Sequence, residues 1–524
     1  MTIEEKIQKE VEKRKTFAII SHPDAGKTTI TERLLLLGGA IRLAGDVKGR
    51  KTRKYATSDW MEIEKKRGIS ITSSVLQFTY RNYCINILDT PGHQDFSEDT
   101  YRTLAAADCA VMVIDMAKGV EQQTIKLFQV CRRQGIPIFT FINKMDRHGK
   151  EPLDLLDEIE KVLSIESYPM NWPVYLHDSN YGLYDRFSQK VQVYQREQNI
   201  EIALNEESEN SKTQRERFLP GKMYKILCDD LSLLDVAGDS FDRQKIDQGQ
   251  LTPVFFGSAI NGFGVQEFLE AFLQLAPSPS KRESNKGTVD PADQTFSGFV
   301  FKIQANMDPG HRDRVAFLRI CSGKFERDLA AVHKRTGKKI RLSQPQQFLA
   351  QDRQITEEAY PGDIIGLYDP GTYQVGDTIA QDDQLEFPRL PRFSPEHFVR
   401  VTASDTRKYK QFHKGLWQLA EEGTIQLYHK PENNEIILGV VGKLQLDVFQ
   451  SRMEAEYGVY VNLEPLPYQL ARWVKGEVAE AGDYLVYDDY KNTIALFKNK
   501  FSLEWTQEKN PSIKLLPLEE RPLG

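Results

Sequence analysis

Short apolar runs, each followed by a polar turn, recur through the first half of the chain at 16–20, 74–80, 83–89, 110–115, 138–143 and 254–256. Runs of this length bounded by turn residues read as buried strands. Between them, 28–37, 121–134, 153–162 and 265–275 carry apolar positions at helical spacing and read as amphipathic helices. Strands alternating with helices predict an α/β domain, a mostly parallel sheet covered on both faces. The stretch from Asp146 to Val254 is longer than such a unit needs. Within it, 172–184 and 191–194 suggest an inserted hairpin, and 201–216 is charged and expected to be loose.

The pattern changes near Pro277. Residues 277–293 are rich in Pro, Ser, Lys and Asp and read as a linker. From 296 to 385, short β-rich runs are broken by Gly and Pro, which predicts a closed β-barrel. A second proline-rich break covers 387–395. Beyond it, strand 397–403, helix 406–421, strands 424–428 and 435–439, helix 443–457 and strand 459–463 follow the split βαβ plan of an α+β domain. A β-rich tail at 471–497 completes it. Three domains are expected from 524 residues. They are 1–280 with an insert at about 165–250, then 294–388, then 394–524.

Composition removes several alternatives. The net charge is −6, so contact with nucleic acid must come from local patches. Lys48, Arg50, Lys51, Arg53 and Lys54 form one such bunch, and Arg407, Lys408, Lys410 and Lys414 another. Each is either an RNA-backbone contact or a solvated face. The five cysteines are scattered and odd in number, which argues for a reducing compartment and against a disulfide frame or zinc site. Residues 1–15 are charged, with Ile3, Ile7 and Val11 at helical spacing, and lack the apolar core of a signal peptide. No apolar run is long enough to span a membrane. A cytoplasmic protein without membrane contact is expected.

Chemistry concentrates in the first domain. Ser21-His22-Pro23-Asp24-Ala25-Gly26-Lys27-Thr28-Thr29 lies between a strand and a helix, the context of a phosphate-binding loop. Loop amides and the helix N-terminus favour negative charge there. Lys27 would reach the β- and γ-phosphates, and the Thr28 hydroxyl would hold Mg²⁺. Such loops usually open with glycine; this one opens with Ser21. Asp89-Thr90-Pro91-Gly92-His93 follows the strand 83–89. Asp89 fits a second Mg²⁺ role, Gly92 admits a γ-phosphate against bare backbone, and His93 sits where a water must be oriented. Asn143-Lys144-Met145-Asp146 also follows a strand. A carboxylate at Asp146 can accept from guanine N1–H and the exocyclic amine, a donor pair adenine lacks. Amides of Gly257-Ser258-Ala259 could donate to guanine O6. Arg67-Gly68-Ile69-Ser70-Ile71 is the one motif that precedes a strand. Its Ser70 is the candidate γ-phosphate sensor and metal ligand. Ligands bind such sheets at the carboxyl ends of their strands, where four of the five motifs fall.

In this order the five motifs resemble those of the translational GTPases, a branch marked by Asp-Thr-Pro-Gly-His. The resemblance implies that His93 positions the hydrolytic water, that Asp89 contacts Mg²⁺ through water, and that Ser70 keeps the hydroxyl of the family's usual threonine. It spans nearly the whole chain and is nearest in form to the bacterial class II release factors. Elongation factors of the G type share the motifs but continue into further domains. By resemblance, the chain is a ribosome-dependent GTPase of translation termination. It would bind GTP and GDP with Mg²⁺, act as a monomer on the ribosome, and eject class I release factors after peptide release. The chain holds no Gly-Gly-Gln tripeptide of the kind class I factors use. Two other readings stand beside it: an elongation-type ribosomal GTPase, and a GTP-gated ribosome-binding module whose turnover is incidental.

Overall fold

The computed structural model describes residues 2–41, 64, 70–176, 181–194, 199–204, 209–305, 314–343, 345–349, 352–390, 393–430, 435–476, 484–488 and 491–518. The first strands are β1 (Arg14–Ser21), β2 (Ser74–Tyr80), β3 (Tyr83–Asp89), β4 (Cys109–Asp115), β5 (Ile138–Asn143) and β6 (Glu166–Pro169). Then come β7 (Asn171–Tyr175), β8 (Tyr181–Asp185), β9 (Lys190–Tyr194), β10 (Ile200–Ala203) and β11 (Leu251–Phe256). Seven of them form one sheet in the order β2-β3-β1-β4-β5-β11-β6. All pairs are parallel except β2 with β3.

Every residue of β1, β4, β5 and β11 is buried. Alternate side chains feed two cores: Ala18, Ile20, Ala110, Met112 and Ile114 on one face, and Phe17, Ile19, Val111, Val113, Phe139 and Phe141 on the other. Burial on both faces explains why these strands read as unbroken apolar runs. β1 begins two residues earlier than its apolar run. Arg14 and Lys15 are buried with partners, Arg14 Nε donating to Asp363 Oδ2 at 2.7 Å and Lys15 Nζ to the Ala276 carbonyl at 2.7 Å.

Three expectations are corrected. The inserted hairpin is a four-stranded antiparallel sheet, β10-β9-β8-β7. The stretch expected to be loose carries β10 and the helix Glu209–Phe218. The linker contains a hairpin, Arg282–Ser284 with Gly287–Val289, anchored where Arg282 donates to the carbonyls of Ala105 and Ala107. Arg282 is largely covered by these contacts, which order a segment whose composition reads as a spacer. A helix over Ser97–Ala105, preceded by a short turn Gln94–Phe96, was not predicted.

The β-rich region forms an eight-stranded antiparallel sheet built on Ser297–Ala305 and Arg314–Ser322. Val300, Ile303, Ala316, Leu318 and Ile320 point into its own core. Phe299, Phe301, Val315 and Phe317 join the core of the first sheet. Among the described residues, its end strands Lys338–Leu342 and Asp352–Ile355 do not pair with each other. The last region is another eight-stranded sheet, with helices Tyr409–Glu421 and Lys443–Tyr457 packed on Val399, Val401, Leu427 and Leu438. The strands of the β-rich tail extend this same sheet, and a further helix, Lys500–Lys509, was not predicted. Among the described residues, no helix is long and apolar enough to cross a membrane.

Candidate functional site

β1, β3, β5 and β11 run parallel, so their carboxyl ends share one edge of the sheet. Ser70, of the motif that precedes a strand, reaches the same edge for a topological reason. β2 runs antiparallel to β3, and its first residue, Ser74, pairs with Asp89. Ser70, just ahead of Ser74, therefore comes to the end of β3. One cleft at this edge is lined by Ser21, His22, Pro23, Asp24, Gly26, Lys27, Thr28, Thr29, Ser70, Gly92, His93, Asn143, Lys144 and Asp146. Residues 65–69 and the basic bunch at 48–54 lie outside the described residues.

On the phosphate side, Gly26 stands at φ +100° and begins the helix Lys27–Leu37. A Cβ there would lie 2.2 Å from Asn143 Nδ2, so both the backbone conformation and the close approach demand glycine. Asp24 also has a left-handed backbone, φ +66°. Lys27 Nζ donates to Asp89 Oδ1 at 2.5 Å, and both side chains are nearly fully buried. The other oxygen, Asp89 Oδ2, is buried without a hydrogen-bond partner, as are Ser21 Oγ and His22 Nδ1. Buried polar atoms of this kind need a partner; Ser21 and His22 line the cleft, and Asp89 stands behind it at the end of β3.

On the other side, Asn143 is a clamp. Its Nδ2 donates to the Ala25 carbonyl at 2.9 Å, and its Oδ1 accepts from the Ala259 amide at 2.9 Å. Lys144, at φ +71°, donates to the Asp24 carbonyl and, at 2.7 Å, to Asp115 Oδ2. Burial alone would raise the Asp115 carboxyl, but hydrogen bonds from Lys144 and the Ala117 amide outweigh it and hold the group below the usual carboxylate range. Ser258 Oγ donates to Asp146 Oδ1 at 2.5 Å.

Six of the expected residues stand behind the cleft. Ala25 is buried beneath the loop, and Thr90 Oγ1 donates to the Ile19 carbonyl at 2.7 Å. The Pro91 carbonyl accepts from Thr100 Oγ1 at 3.3 Å. Asp89, Ser258 and Ala259 act on Lys27, Asp146 and Asn143. His93 lines the cleft about one-third exposed; its Nδ1 accepts from the Asp95 amide at 3.2 Å and lies 3.3 Å from Asp95 Oδ1.

Three residues that the motif reading missed also belong here. Arg147 and Ile260 line the cleft. Arg147 adjoins Asp146 in sequence, which was a usable signal. Arg33 Nε donates to the Ala259 carbonyl at 2.8 Å and Arg33 also holds the Ile260 carbonyl. Nothing in the pattern around Arg33 foretells that contact.

Residues 12–278, which contain this cleft, match the family described as "Elongation factor Tu GTP binding domain". Residues 295–382 match "Elongation factor G domain 2". Residues 387–507 match "Class II release factor RF3, C-terminal domain". Over 519 residues, 98% of this chain and 99% of the relative, the chain is 55% identical to peptide chain release factor 3 of Listeria monocytogenes serotype 4b. The chain belongs to the peptide chain release factor 3 family. Family members from Macrococcus caseolyticus and Symbiobacterium thermophilum are each 54% identical, covering 98% and 96% of this chain and 99% and 97% of their own. A crystal structure of a protein from Thermus thermophilus has the same fold, with TM-score 0.70 at 24% identity over 91% of this chain and 72% of that one. Family membership and the GTP-binding match make the chain a GTPase that binds guanine nucleotide.

Proposed function

We propose that this chain is a GTP-driven factor of translation termination. It binds the ribosome after peptide release and uses GTP hydrolysis to drive off class I release factors. The observation that carries this reading is the match of 387–507 to the class II release factor C-terminal domain, joined in one chain to the match of 12–278 to a GTP binding domain. The factor works as a cytoplasmic monomer, in three domains near 1–280, 294–388 and 394–524.

Lys27 and the amides of the loop around it grip the β- and γ-phosphates. Asp146 accepts from the guanine edge, steadied by Ser258; Asn143 and Lys144 hold the base-side and phosphate-side loops at fixed separation. Ile260 and the Lys144 stem offer apolar surface to the base faces. Mg²⁺ suits this donor set: Thr28 and Ser70 offer hydroxyls at the cleft, and the unpartnered Asp89 Oδ2 offers carboxylate charge through water. Bound there, the metal would neutralise charge building on the phosphates. His93 orients the attacking water beside Gly92.

The test follows two signals on post-release ribosomes: phosphate release from GTP, and departure of a labelled class I factor. Ribosome-stimulated phosphate release with faster departure supports the proposal. Stimulated phosphate release without faster departure returns the chain to the elongation-type reading. Ribosome binding without multiple turnover favours the GTP-gated binding module.

A further inference from the structure

Asp95 stands two residues after His93 and faces two ways. Its Oδ1 lies 3.3 Å from His93 Nδ1, and its amide donates to that same ring nitrogen at 3.2 Å. Both contacts converge on Nδ1, so the Asp95 amide and carboxylate together set the place and the tilt of the imidazole. The other carboxylate oxygen, Oδ2, accepts from the Leu444 amide at 2.8 Å. Leu444 belongs to the first turn of the helix Lys443–Tyr457, in the third domain. Free amides and the helix dipole favour a carboxylate at that position.

Three further observations place the third domain against this turn. Gly442, which precedes the helix, has no side chain, and a Cβ there would lie 2.0 Å from Asp95 Cγ. Its φ of −136° and ψ of 155° suit any residue, so the space taken by Asp95, not backbone strain, is what an alanine would meet. Phe96, next after Asp95, is buried with Val448 of the same helix. Ile71, next after Ser70, completes that small core. The chain segments leaving Ser70 and His93 therefore rest on one helix of another domain.

We infer that Asp95 is a positioning residue that ties the His93 ring to the N-terminus of the helix Lys443–Tyr457, so that where the third domain sits decides where His93 points. The inference rests on the reading of His93 as the water-orienting group. Asp95 itself touches neither nucleotide nor water.

Two variants approach the tie from opposite sides. Asp95→Asn keeps the shape and an oxygen for the Leu444 amide but removes the charge beside His93. Gly442→Ala leaves the first domain's sequence intact and pushes the carboxylate aside. Each is expected to slow single-turnover GTP hydrolysis on ribosomes about tenfold or more while the Kd for a fluorescent GDP analogue stays within about twofold, the signature of a misplaced group rather than a lost binding contact. The double variant is expected to be no slower than the slower single one, because both break the same tie. Independent, multiplying losses, or hydrolysis within about twofold of the parent in either single variant, overturn the inference. His93→Ala is measured beside them. If it is slow while the Asp95 and Gly442 variants are normal, only the tie is rejected. If it hydrolyses normally, the reading of His93 falls and takes the tie with it.

Discussion

His93 and Asp146 line the same cleft but answer to different measurements. A group that orients water acts in the transition state. His93→Ala is therefore expected to leave the Kd values for GDP and GTP within about twofold and to slow ribosome-stimulated single-turnover hydrolysis by about a hundredfold or more. In the proposed reading Asp146 contributes an acceptor facing the base. Asp146→Asn replaces one acceptor oxygen by a donor amide, and competition binding is expected to show preference moving from guanine towards xanthine nucleotides. Unchanged discrimination would remove Asp146 from base recognition. The residues of the five motifs could be read from sequence because each is a chemically specific type beside a strong apolar run. Asn143 could be named but its work could not. Its bonds to Ala25 and Ala259 join segments remote from it in the chain, and local pattern carries no record of such partners.

At the scale of elements, legibility follows what each element buries. The strands Ser74–Tyr80, Tyr83–Asp89, Ile138–Asn143 and His397–Ala403 and the helices Val265–Leu275 and Lys443–Tyr457 begin and end where the pattern predicts. The helix Ser97–Ala105 was missed because it buries polar side chains. Glu98, Thr100, Arg102 and Thr103 are all out of solvent, and Gln426 of the last sheet donates to Glu98 Oε2 at 3.3 Å. A helix whose buried face is mostly polar has no apolar stripe to read. The start of the helix Lys27–Leu37 offers an element-scale prediction. Gly26→Ala must hold an unfavourable left-handed backbone, costing about 1–2 kcal/mol, and must displace Asn143. The variant is expected to lose stability by at least that amount in a denaturant titration and to bind GDP more weakly. Wild-type affinity would mean that the loop relaxes around the added methyl.

Across the whole molecule, the first two units are joined by charge buried at their seam. Arg319 Nη2 donates to Asp108 Oδ2 at 2.6 Å with both side chains almost fully enclosed, and Ser280 donates to Asp108 Oδ1 through its amide and hydroxyl. Arg282 lies nearby, 3.6 Å from the same carboxylate. Asp108→Ala would leave the enclosed Arg319 guanidinium without its carboxylate and take the neighbouring charge from the partly exposed Arg282. Removing one member of such a pair costs about 3–5 kcal/mol. The expected readout is a lower denaturant midpoint, with the unfolding of the two units separating into distinct steps. An unshifted midpoint would mean that water reaches the seam. The clamp at Asn143 has a consequence of another kind. It binds the amide of Ala259, 116 residues along the chain, and holds the phosphate loop by the same side chain. Deuterium uptake at Ala259 is then governed by the opening of that loop, so nucleotide occupancy can be followed at an amide that never meets a phosphate.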